Sequence, residues 1–181
     1  MLRKTISAVI TLFVLQSCTS RNASFDKYCQ SLKLIDLPIV LDCQKSINYP
    51  DYSKIPESLI EKYTPLGHKT FGRIDLNKNA VSIIQVAQAE TEVPMIFNYK
   101  IDGTPIDTIW LLSGTCSSDP EYYTHSVCLV GKDKTLKMTD SVIFYKLDKD
   151  FNRIQKSDSI VIRNWLCKLD DHGVLIKTLI K

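Results

Sequence analysis

The chain predicts an all-β fold, and three observations lead there. From His68 onward, short runs rich in Val, Ile, Phe and Tyr alternate with turn residues about every 8 to 12 positions. Asp102-Gly103 lies between two such runs, and those residue types tolerate the positive φ that a tight hairpin turn requires. No gap between runs is long enough for a helical crossover, so neighbouring strands are expected to pair antiparallel. The expected architecture is a strand meander curled into a sandwich or open barrel, with one short N-terminal helix.

The globular body is expected to begin near Tyr28 and to run as one domain to residue 181. Residues 34–41 are apolar and strand-like, and Pro38 assigns them to a sheet edge because proline donates no ladder hydrogen bond. The helix is placed at 56–63. Pro56 suits a first helical position, Glu57 complements the positive helix start, and Leu59, Ile60 and Tyr63 share one face. Pro65 and Gly67 end it. The strand runs that follow are 69–76, 80–88, 93–101, 105–112, 125–131, 135–147, 153–163, 165–170 and 173–180. Asn77-Lys78-Asn79 and Asp171-His172-Gly173 are read as further turns. Tyr99-Lys100-Ile101-Asp102 is echoed by Tyr145-Lys146-Leu147-Asp148 and, shortened, by Cys167-Lys168-Leu169-Asp170. Repeated hairpin chemistry explains the echo: a strand ends, and an aspartate bonds the turn backbone.

The first residues read as an export leader. Arg3 and Lys4 precede an apolar run from Thr5 to Leu15, which is too short to span a bilayer of roughly 30 Å. The junction Leu15-Gln16-Ser17-Cys18 resembles the lipid-attachment box of bacterial lipoproteins. That resemblance implies cleavage of residues 1–17 by signal peptidase II, with Cys18 carrying a diacylglycerol and an N-acyl chain such as palmitate. Thr19 and Ser20, rather than aspartate, follow the cysteine. In the commonest Gram-negative sorting scheme this resembles cargo of the outer membrane. Residues 18–27 then read as a polar tether between lipid and domain. Small envelope lipoproteins of Gram-negative bacteria resemble the chain in overall architecture.

Removing residues 1–17 takes away two of the 23 basic residues and no acidic one, which leaves a body near neutrality against 20 acidic residues. Such a body has no broad electrostatic claim on nucleic acid. Lys132, Lys134 and Lys137 are interrupted by Asp133 and Asp140 and read as a solvated hairpin. Five cysteines follow Cys18, and none is spaced as CxxC, so disulfides are expected and a metal site is not. Local loop closure favours Cys29 with Cys43 and Cys116 with Cys128, leaving Cys167 as a small buried apolar residue.

No residue pattern names a reaction, and no cofactor is expected. Asp148, Asp150 and Asn152 alternate like the start of a calcium loop, but Arg153 and Ser159 stand where that loop needs glycine and glutamate. His68, His125 and His172 are scattered, and His125 near Ser117, Ser118 and Asp119 lacks a nucleophile-elbow pattern. Residues 113–124 form the longest irregular stretch, and Tyr122 and Tyr123 are its candidate binding residues, since tyrosine joins a flat apolar face to a polar tip. Trp110 and Trp165 are placed in the core. The functional expectation is a non-enzymatic, lipid-anchored envelope protein that contacts another protein or a glycan. The alternatives are a carbohydrate- or peptidoglycan-binding module and a hydrolase of unfamiliar constellation.

Overall fold

The computed structural model describes residues 22–88, 92–112 and 116–180. Cys18 and the leader lie outside the described residues, as do 113–115 of the expected binding loop. In order, the elements are α1 (Ala23–Ser31), β1 (Ile39–Asp42), α2 (Glu57–Tyr63), β2 (His68–Ile74), β3 (Ala80–Gln88), β4 (Glu92–Lys100), β5 (Pro105–Trp110), β6 (Tyr122–Val130), β7 (Leu136–Phe144), β8 (Ser159–Leu169) and β9 (Leu175–Ile180). They build two antiparallel sheets, β2-β3-β4-β5 and β1-β6-β7-β8-β9. No helix among the described residues is long and apolar enough to cross a membrane.

Period-two alternation places one face of each sheet in a shared core. Ile84, Ile96 and Ile109 of the four-stranded sheet meet Cys128, Val130, Leu136, Met138 and Cys167 of the five-stranded sheet. Buried polar groups on this face are paired across the layers. Ser82 Oγ donates to Asn98 Oδ1, and Asn98 Nδ2 donates to the carbonyl of Gly173 in the β8–β9 turn at 2.9 Å. The other face of the four-stranded sheet is covered by the two helices. Phe25, Tyr28, Leu59 and Tyr63 pack there with Ile83 and Tyr99 in a second core.

Four expectations are corrected. Residues 23–27, expected in a tether, belong to α1, which the Asn22 side chain caps, and Phe25 is 0% exposed against the rings of Tyr63 and Tyr99. Among the described residues there are therefore two short helices, α1 as well as the expected α2. Residues 159–163 and 165–169 of two expected runs form one strand, β8, because Asn164 stays in register opposite Thr139 and introduces no turn, while 153–158 lie outside it. Trp110 is 56% exposed, since its register opposite Met95 turns it away from the shared core. Trp165 packs partly against that core.

The cysteine pairing also differs. Cys43 is joined to Cys116, with Cα atoms 5.4 Å apart, while Cys29, Cys128 and Cys167 are free and buried. The expected Cys29–Cys43 and Cys116–Cys128 bridges fail because burial in two separate cores claims Cys29 and Cys128. Short sequence separation is a weak guide to pairing once topology brings distant loops together.

Candidate functional site

Beyond the shared core, the inner face of the five-stranded sheet carries side chains that stay partly exposed. Along β6, Thr124 and Ser126 share a face with the core residues Cys128 and Val130. Asp140, Val142 and Phe144 do so on β7, and Val161, Arg163 and Trp165 on β8. These side chains, with Lys177 of β9, line a groove of about 300 Å³. Its polar floor is anchored by Ser126 Oγ, which donates to Asp140 Oδ1 at 2.8 Å. Its wall is aromatic and cationic, with Lys177 Nζ 4.2 Å from the centre of the Trp165 ring, inside cation–π range.

Beside this groove the sheet has an open edge. β8 pairs with β7 along Ser159–Cys167, whereas β9 reaches only Asn164–Leu169. Among the described residues no strand pairs with the other side of residues 159–163. That stretch is exposed and apolar on both faces: Ile160 is 56% and Ile162 58% exposed on one, and Val161 lies on the other. Two other edges are shielded. Residues 33–35 bond the outer side of Arg73 on β2, at 2.9 and 2.8 Å. Cys43, Ser117 and Asp119 bond the outer side of β6 at Ser126, Thr124 and Tyr122.

The expected binding loop is the strap that shields β6. Cys116 is tied to Cys43, and Arg153 holds the strap through the carbonyls of Asp119 and Pro120 at 2.7 and 3.1 Å. Tyr122 and Tyr123 belong to β6 rather than to the loop, and strand alternation points them to opposite faces. Tyr122 joins the inner face opposite Phe144, and the Tyr123 hydroxyl accepts a bond from Gln44 Nε2 on the outer face. The open edge of β8 reads in the sequence as an ordinary strand.

The three histidines do not converge. His172 sits in the β8–β9 turn and His68 opens β2 with its ring against Phe97. His125 Nε2 lies 2.9 Å from Asp42 Oδ1, so its partner is a distant aspartate rather than Asp119. Gln44 N–H and His125 together hold the Asp42 carboxyl below its ordinary value of 3.8. Cys43, Cys116 and His125 lie within 4.8 Å of one another, but the two sulfurs are joined in the disulfide, and a disulfide sulfur is not the thiolate that metal ions take. Asp148 Oδ1 accepts the backbone N–H groups of Asp150 and Asn152 at 2.8 and 2.9 Å, which commits it to the turn. Comparison of the chain with protein-family models, with curated proteins and with solved structures found no match in any of the three.

Proposed function

We propose that the chain is a non-enzymatic interaction module, held at the cell envelope by a lipidated Cys18, whose protein partner adds an extended strand to the open edge of β8. The observation that carries this reading is the outer edge of Ser159–Arg163, which no described strand pairs and which exposes Ile160, Val161 and Ile162, beside a groove able to take side chains. An exposed edge offers backbone donors and acceptors in a row, and an incoming strand satisfies them while alternate side chains enter flanking pockets. Two other edge segments, at Arg73 and along Tyr122–Ser126, are shielded by backbone bonds, whereas β5 and β9 are edge strands like the free end of β8. The chemistry of the partner strand follows from its surroundings. It is apolar on the face that meets Ile160 and Ile162. On the groove face it carries an acidic side chain, because Arg163 and Lys177 outnumber Asp140 there.

A photoreactive amino acid at position 162, activated in intact cells, tests this. The expected result is a crosslink to one recurring, extended segment of a single partner. Ile160→Lys is expected to reduce that crosslink by about tenfold or more, since edge lysines block strand addition. Crosslinks scattered over many proteins, or confined to a second copy of this chain, would overturn the proposed partner.

A further inference from the structure

A second pocket lies on the opposite layer, between α2, the 49–55 segment and β2. Its volume is about 230 Å³, and its walls include Tyr49, Tyr52 and Ile60. At its inner end three hydroxyls form a closed ring. Tyr28 Oη lies 2.9 Å from Thr64 Oγ1 and 3.0 Å from Thr70 Oγ1, and the two threonine hydroxyls are 3.0 Å apart. Three hydroxyls have three protons, and three mutual contacts use all of them. With the three protons passed round the ring, its remaining capacity is acceptor lone pairs, and half-buried Thr70 is the member nearest the opening, Tyr28 being wholly buried. Behind the ring, Gln85 is wholly buried and paired across the strands with Thr70. Its Nε2 donates to the Tyr63 carbonyl at 2.8 Å, while its Oε1 has no hydrogen-bond partner.

The walls are equally constrained. Tyr49 donates to Glu92 Oε1 at 2.9 Å, and Tyr52 donates to the Phe71 carbonyl at 3.1 Å. Burial, the largest cause in both, raises these phenols and keeps their protons in place. With their hydroxyls spent on the protein, the two tyrosines offer a guest their ring surfaces. No carboxylate lines the pocket, and Lys69 stands at it with Nζ 5.3 Å from the centre of the Tyr49 ring. The Glu92 carboxylate stands behind the wall and is engaged by Tyr49 and the Ile47 N–H. A volume below the roughly 300–1,000 Å³ of drug-sized sites fits a single ring.

We infer that this pocket binds one saccharide ring, giving hydroxyl protons to the Tyr28–Thr64–Thr70 cluster and stacking its C–H face on tyrosine. The site is separate from the β8 edge, so the two assignments stand or fall independently. The test is an NMR titration of the folded protein with glucose, N-acetylglucosamine and glucuronic acid. At least one sugar is expected to shift the amide signals of pocket residues saturably. Thr70→Val, which breaks the hydroxyl ring, and Tyr49→Ala, which removes a wall, are each expected to weaken binding about tenfold. Thr70→Ser restores the hydroxyl and is expected to restore binding, whereas Tyr122→Ala is expected to leave it unchanged. The inference is overturned if no sugar gives a saturable shift, if Thr70→Val and Tyr49→Ala leave binding intact, or if tetramethylammonium binds where the sugars do not.

Discussion

Aspartate and asparagine side chains close turn after turn in this protein by accepting N–H groups two residues on. Asp51, Asn77, Asp102 and Asp133 do so toward Ser53, Asn79, Thr104 and Thr135. Asp170 accepts two, from His172 and Val174, both at 2.9 Å. This is the chemistry behind the echo at Asp102, Asp148 and Asp170, and it was legible because it depends only on near neighbours. Asp42 adds a distant partner to the same device, since its Oδ1 accepts from Gln44 N at 3.0 Å and meets His125. Its carboxyl is depressed below 3.8 in the folded state, so the stability it contributes is complete above 3.8 and is lost as the pH falls through the lower, folded value. Asp42→Asn is accordingly expected to destabilise the protein at neutral pH and to match the parent as the pH drops below 3.8. Urea denaturation across that range measures the gap, and a gap that stays constant with pH would refute the assignment.

At the level of elements, α1 illustrates how composition misleads. The stretch before Tyr28 is polar, and polar stretches after a leader suggest a tether. Yet Asn22 is a good N-cap, Asp26 lies in the first turn, and Phe25, Tyr28 and Cys29 share one face at helical spacing. Nine residues are too few to hold a helix in water alone, so α1 exists because that face docks on the four-stranded sheet. The docking is close: a Cβ on Gly103, whose φ is +86°, would stand 2.7 Å from Phe25 Cγ. Phe25→Ala is expected to lower unfolding free energy by about 3–5 kcal/mol in denaturant titration. No change in stability would return residues 23–27 to the tether.

The whole molecule is two packed sheets, one covered by helices and the other partly exposed beyond the shared core. The Cys43–Cys116 link joins segments 73 residues apart and holds the strap against β6; the chain-entropy model assigns such a closure about 4 kcal/mol. The proposed anchor belongs to this scale because it would decide which surroundings the open edge and the tyrosine pocket meet. Two or more acyl chains on Cys18 would hold the body stably at a membrane without any spanning helix. Cys18→Ala is expected to abolish incorporation of a labelled fatty acid and to leave uncut precursor. Labelling that persists in this variant would refute the anchor.

Local pattern was enough for the all-β class, the edge position of the segment after Pro38, the helix at α2 and the aspartate turns. Each rests on interactions within a few residues, where side-chain period and backbone preference are written directly in the order of amino acids. The cysteine pairing, the exposure of Trp110, the Asp42–His125 contact and both candidate sites depend on strands far apart in the chain. Their partners are selected by how two sheets pack, and that packing, a property of many weak contacts at once, has no local signature.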